Sequence, residues 1–462
     1  MQSAQLVNVV HFIDAADAVD VVDSATREPT ITAYLAVAVF VIAYVLIATE
    51  RFNRAFVAVV GAAAMVVIGA TRGEEMFFSH ETGIDWNVIF LLFGMMVIIG
   101  VLKQTGVFEY VALWAAQLAQ ARPFRTMVLL CVITAVGSAL LDNVTMVLLI
   151  APVTLLLCDR LGVPPVPFLM AEVMASNIGG TATLIGDPPN IIIGSRANIS
   201  FIDFLVHLAP LVFLVLLPAF LGLTWLLWGR HLRYDADRAA TVMRLPRKDS
   251  ITDSRLLVRM GGVLALVMLG FVTHATTHIE PSLIALLGAG ASVAVSRLGP
   301  EDYLDDVEWE TLLFFGGLFV MVGSLVHQGI IGEVAAGVAA LMGDNYLLGS
   351  QIVLIGSAVL SGVIDNIPYV ATMAPLVHDL VGPNPGLPPQ QSALWWSLAL
   401  GADLGGNSTL IGASANVVAA GIAARNGHPI SFWTFTRYGL VVTAVTVGLS
   451  MPYVWLRYFV WA

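Results

Sequence analysis

The chain has 462 residues, 58% hydrophobic and 11% charged, with a net charge of −11, against about 45–50% and 25% for soluble domains. That composition excludes a soluble globular enzyme, a disordered protein and a nucleic-acid binder. A spanning helix needs roughly 20 apolar residues, and the apolar runs here are continuous rather than alternating, which excludes a β-barrel. A polytopic α-helical membrane protein remains.

Residues 1–29 carry Asp14, Asp17, Asp20, Asp23 and Glu28 and have no basic stretch ahead of the first apolar run. They read as an acidic extracytoplasmic segment, not a signal peptide. Apolar spans follow near 31–49, 55–71 and 86–103. Next comes an apolar stretch, 124–158, broken at its centre by Asp142-Asn143-Val144-Thr145. A span interrupted by glycines and prolines occupies 165–196, and a long one 200–229. A basic linker, 231–255, leads to spans near 256–275, 282–298 and 309–326. A second broken stretch, 350–380, is centred on Asp365-Asn366, and 391–424 is again interrupted before a last span at 432–460. Stretches 107–121 and 330–342 look amphipathic and are expected at the membrane interface.

The two halves are a duplication. Trp86, Gly94, Gly100 and Gly106 recur as Trp309, Gly317, Gly323 and Gly329, and Asp142-Asn143 recurs as Asp365-Asn366, all at an offset of 223. Gly179-Gly180 recurs as Gly405-Gly406 at offset 226, and 7 of 14 positions are identical between 177–190 and 403–416. The predicted fold is an all-α polytopic membrane protein. It has two inverted repeats of five transmembrane helices (30–230 and 256–462), each with a re-entrant hairpin and one broken helix. Arms of about 14–18 residues and a polar tip favour hairpins over extra full spans. An odd number of crossings inverts the second repeat. The linker arginines place 231–255 in the cytoplasm by the positive-inside rule, with both termini outside and 17 of the 21 basic residues inside. This is the construction of secondary transporters.

Broken helices are tolerated at membrane depth where they line a cavity or lie inside protein, and each carboxylate there costs about 2.5–3.5 kcal/mol on insertion scales. The residues gathered at the breaks and tips are therefore the candidate site. From the first repeat these are Asp142, Asn143, Thr145, Asn177, Gly179, Gly180, Thr181, Thr183, Asp187 and Asn190. From the second they are Asp365, Asn366, Asp403, Gly405, Gly406, Asn407, Ser408, Thr409 and Asn416. Asp142 and Asp365 are equally placed to cap a hairpin arm, and Glu172 is either a further carboxylate or a neutral structural one. No Lys or Arg lies within these motifs, so the lining suits a cation, a proton or a small neutral hydroxylated solute. A buried carboxylate that gains and loses a proton would supply the coupling.

Other features carry less. Cys131 and Cys158 are too few for a disulfide framework or a soft-metal site. Lys103 and Lys248 lie outside any phosphate-binding loop, so the chain itself has no ATP site. His274 and His278 lack the glutamate of a zinc hydrolase motif. Trp225, Trp228, Trp395, Trp396 and Trp455 read as aromatic-belt anchors.

The strings ASNIGGTATLIGDPPNIIIGS (175–195) and ADLGGNSTLIGASANVV (402–418), with the tips LLDNVTMV and VIDNIPYV, resemble the ion transporter superfamily. Within it they resemble the arsenite-pump and P-protein-like permeases, relatives of sodium/proton antiporters and citrate carriers. The resemblance implies a scaffold, an elevator-like transport domain, and a site made from two hairpin tips and two unwound helices. It implies arsenite or antimonite efflux coupled to protons, with sodium/proton exchange or citrate-type anion transport as alternatives. The dicarboxylate branch has Ser-Asn-Thr at its tips, where this chain has Asp-Asn-Val and Asp-Asn-Ile. No cofactor is expected beyond coupling H+ or Na+. Expected partners are the solute, its coupling ion and membrane lipid, with no nucleic acid; a homodimer and a soluble ATPase partner both remain open. An intramembrane aspartyl protease would need Tyr-Asp and Gly-x-Gly-Asp, and Leu184-Ile185-Gly186-Asp187 does not supply the second.

Overall fold

The computed structural model describes residues 30–49, 52–79 and 81–461; the acidic segment 1–29 lies outside them. The first repeat contains α1 (Ile31–Ala48), α2 (Arg54–Val67), a short α3 (Gly73–Phe78), α4 (Trp86–Lys103), α5 (Val107–Leu118), α6 (Pro123–Leu140), α7 (Asn143–Leu161), α8 (Pro165–Gly180), α9 (Pro188–Ala197) and α10 (Phe201–His231). The linker carries α11 (Ala236–Met243). The second repeat contains α12 (Ser254–Thr277), α13 (Pro281–Ser296), a short α14 (Pro300–Leu304), α15 (Trp309–His327), α16 (Ile330–Met342), α17 (Tyr346–Val363), α18 (Asn366–Val381), α19 (Pro389–Gly405), α20 (Ser414–Arg425) and α21 (Phe432–Val460). The described residues hold no strand, and eight of these helices are long and apolar enough to cross a membrane.

The ends of the helices follow from their sequences. Proline opens α6, α8, α9, α13 and α19, where its missing N–H costs nothing and its fixed φ suits the first turn. Asp85 caps α4, Asp142 caps α7 and Asp365 caps α18, each accepting from backbone N–H groups of the first turn. Capping is thus one role of both tip aspartates.

The repeats are inverted. The linker touches the base of the first hairpin: α11 packs on α7, and its Arg238 fills the space a Cβ on Gly162, just past the end of α7, would need. The base of the second hairpin instead meets the far end of α9, where Asn384 N donates to Ala197 O at 2.8 Å. The hairpins therefore enter from opposite faces. Their arms, α6–α7 and α17–α18, have 18, 19, 18 and 16 residues, close to the expected length. Their tips still stop at the level of the helix breaks: Thr183 Oγ1 donates to Ala139 O at 2.6 Å, and its counterpart Thr409 to Gly362 O at 2.6 Å.

Two bodies result. Helices α1, α2, α4, α12, α13 and α15 form one group, in which α4 packs on α13 and α2 on α15. The other body holds both hairpins and both broken helices, in which α6 packs on α8 and α17 on α19. Glycines set those last two contacts. An added Cβ on Gly179 would stand 2.5 Å from Ala135 Cα, and one on Gly405 would stand 2.6 Å from Ala358 Cα. Lipid-facing positions stay apolar; on α1, Val41, Ile42 and Val45 are half exposed.

The tryptophan expectation needs correction. Trp225 and Trp455 are exposed, but Trp228, Trp395 and Trp396 are buried. The Trp396 ring is stacked on His207 at 4.4 Å, and its N–H is taken by Ser392 at 3.0 Å. A tryptophan with a local acceptor fits a core as well as a membrane interface.

Candidate functional site

The residues singled out by sequence converge on one polar cluster between the two breaks. Asp187 heads α9 with extended backbone and is 1% exposed. Asn143, from the first hairpin tip, donates its Nδ2 to Asp187 Oδ2 at 2.8 Å and to Asn177 Oδ1 at 3.1 Å. Asn366, from the second tip, donates to Asp187 Oδ2 at 3.3 Å. One carboxylate thus holds tips that arrive from opposite faces.

Asn177 joins the repeats. Its Nδ2 donates to Asn407 Oδ1 and Asn416 Oδ1, both at 3.0 Å. Asn416 in turn donates to Gly406 O and Thr409 O, at 2.7 and 2.9 Å. Asn190 does the same to Gly180 O and Thr183 O, at 3.2 and 3.0 Å. These asparagines satisfy carbonyls released where the helices unwind, as buried backbone requires. Gly180 faces Gly186 across the first loop and Gly406 faces Gly412 across the second, each too close for a side chain to enter without displacement.

Other predicted residues take local roles. Thr145 donates to Asp142 at 2.5 Å, Thr181 to Asn177 O at 2.9 Å, and Ser408 fills the space a Cβ on Gly362 would need. Asp403 is fully buried with neither oxygen hydrogen-bonded. Glu172 is held by Thr154 at 2.7 Å rather than by a tip residue.

A cavity of about 570 Å³ reaches this region from the linker face, lined by Asn53, Arg54, Val144, Glu308, Thr311, Phe314, Asp365 and Ser414. Arg54, Glu308, Thr311 and Ser414 were missed in the sequence. Arg54 lies 3.7 Å from Asp365 Oδ2, donates to Ser414 Oγ and to Thr311 Oγ1 (3.2 Å), and sits over the Phe314 ring. The absence of basic residues from the motifs therefore does not extend to the cavity. Arg54 opens an apolar span, where a lone arginine looks like an ordinary interfacial anchor. No local signal marks its reach to a tip some 310 residues away.

A family model described as a citrate transporter matches residues 44–401. An uncharacterized transporter of Mycobacterium tuberculosis is 57% identical over 426 residues, covering 92% of this chain and 99% of its own. The chain belongs to the citrate transporter family. A 46 kDa membrane protein of Mycobacterium leprae is 52% identical with the same coverage. The human P protein is 35% identical over 504 residues, covering 92% of this chain and 60% of the P protein. Among solved structures the YdaH transporter of Alcanivorax borkumensis matches with a TM-score of 0.54 at 14% identity, covering 92% of this chain and 98% of that one; that likeness speaks for the fold. As a member of this family the chain is a multi-pass membrane transporter and not an enzyme.

Proposed function

We propose that the protein is a secondary active transporter of the cell membrane that works by an elevator-like movement, exporting a small inorganic solute in exchange for protons. Arsenite or antimonite is the leading substrate. The observation that carries this reading is the meeting of both hairpin tips on Asp187 beside two unwound helices. A site so built belongs to one body, which slides as a unit against the scaffold. Its lining is mostly amide, hydroxyl and backbone, and arsenite, a small neutral solute bearing hydroxyls, needs such partners and no cysteine. Cys131 and Cys158 are both buried. The likeness to the P protein fits the same branch.

A second reading has support in Arg54, whose guanidinium lines the cavity. A carboxylate or other anion entering from the linker face would meet a fixed positive charge there. The family description, citrate transporter, names such an anion.

Proteoliposomes with an internal pH dye separate the readings. Arsenite, citrate and sodium are added in separate arms, each with and without a proton gradient. Proton movement driven by arsenite supports the first reading, movement driven by citrate supports the second, and sodium alone points to sodium/proton exchange. No response in any arm would overturn this proposal.

A further inference from the structure

Asp403 and Asn177 occupy equivalent positions of the two repeats, at an offset of 226. The same offset relates Thr181 to Asn407 and Asn190 to Asn416. Asn177 sends its amide hydrogens to Asn407 and Asn416. Asp403 correspondingly has Thr181 and Asn190 as its polar side-chain neighbours. Neither has a hydrogen to give. The Thr181 hydroxyl already donates to Asn177 O, and both Asn190 amide hydrogens go to the carbonyls of Gly180 and Thr183. Turning the Asn190 amide over would set its oxygen against those two carbonyls, and in the equivalent place of the other repeat it is the Asn416 oxygen that meets Asn177, so by that correspondence the Asn190 oxygen is the atom turned toward Asp403. Asn190 Oδ1 and both Asp403 oxygens lack any partner and are sealed from solvent.

The arrangement is thus short of one hydrogen at the place where the other repeat has an amide. Resting on the reading of the chain as a proton-coupled transporter, we propose that Asp403 carries the exchangeable proton and donates it to Asn190 Oδ1, standing in for the amide of Asn177. Losing that proton would leave a bare charge facing two acceptors in a sealed interior, which is strongly unfavourable, so release must accompany a rearrangement that brings a donor or water. Asp187 differs, since amides from both tips already satisfy it. Of the other titratable groups on helices packed around Asp403, Glu172 is engaged by Thr154 through one oxygen while its other oxygen lacks a partner, Tyr369 is engaged by Ser357, and Asp365 by Ser414 and Arg54. Asp187 is the remaining carboxyl group that faces it.

Infrared spectra of the full chain in lipid test this without any transported substrate, so the result stands apart from the identity of the solute. Wild type should show a carboxylic-acid carbonyl band that shifts in deuterium oxide, is lost in Asp403→Asn, and persists in Asp187→Asn. Asp403→Asn should fold at wild-type yield, because its amide supplies the same donor, whereas Asp403→Ala should fold less well. Three results would overturn the proposal: a band unchanged in Asp403→Asn, a band lost instead in Asp187→Asn, or failure of Asp403→Asn to accumulate. A band abolished by added sodium at constant pH would overturn it in favour of a sodium ion held by the same oxygens.

Discussion

Arg54, at the start of α2, lies 3.7 Å from Asp365 at the tip of the second hairpin. The contact joins the two bodies, so any sliding of one against the other must break it. It also brings a cation to within one side chain of a cluster otherwise built from amides and carboxylates. With the Arg54 and Asp365 side chains 28% and 18% exposed, the pair is neither a freely solvated surface contact nor a sealed ion pair.

Arg54→Gln keeps hydrogen-bonding capacity and removes the charge. A hydrogen bond to a charged group contributes about 1.5–3 kcal/mol, roughly ten- to hundredfold in affinity. If an anion is carried, citrate affinity should fall by about that factor while folded yield is unchanged. A neutral solute such as arsenite should instead show altered turnover with little change in half-saturation. Initial rates across a concentration series distinguish the two, and wild-type kinetics with both solutes would remove Arg54 from the cycle.

The glycine contacts between α6 and α8, and between α17 and α19, set a stability prediction. Gly179→Ala and Gly405→Ala each push a methyl group into the backbone of the neighbouring helix, and overpacking of this kind costs about 1–3 kcal/mol. Gly222→Ala and Gly316→Ala meet nothing within 4 Å and should be silent. Thermal unfolding in detergent should separate the pairs; equal stability of all four would show that the breaks yield more readily than their packing implies.

How much of this was legible in the chain depends on whether the signal was local. A Gly-Gly followed by Asp-Pro-Pro inside an apolar run violates the local rules for a spanning helix, so the breaks, the tips and the duplication stood out. The bonds from Asn143 and Asn366 to Asp187 then followed from bringing those elements together. Arg54 did not stand out, because a basic residue opening a span is ordinary and its partner comes from the other repeat. Trp395 and Trp396 misled for a related reason. An aromatic pair looks alike in a core and at an interface, and His207 stacking on Trp396 depends on how α10 crosses α19.

Orientation is testable with single cysteines. Cys131 and Cys158 are buried and can be replaced with little surface change. Asp237→Cys in the linker and Pro385→Cys at the base of the second hairpin lie on opposite faces. The linker arginines predict that Asp237→Cys labels from the cytoplasm and Pro385→Cys from outside. Labelling of both from one side would contradict the inversion.

The last prediction concerns Asp187, on which both tips converge. Asn143 and Asn366 each direct an amide N–H group at its carboxylate. Asp187→Asn removes the negative charge from the acceptor that both amides share at Oδ2, and its NH2, standing in the Oδ1 place, faces the Asn366 amide. Losing one charge-assisted hydrogen bond costs about 1.5–3 kcal/mol. The substitution is nearly isosteric, and the packing around the Gly180–Gly186 contact should keep the fold. Transport of the responding solute should fall by at least about tenfold at wild-type yield of folded protein. Asn143→Ala and Asn366→Ala should each lower transport, but neither should lower it much further in the Asp187→Asn background, because the bond each would break is already compromised. That non-additivity is the deciding measurement. If the three losses simply multiply, the tips are held independently of Asp187, and the site must be centred on Asp365 and Ser414 at the cavity floor.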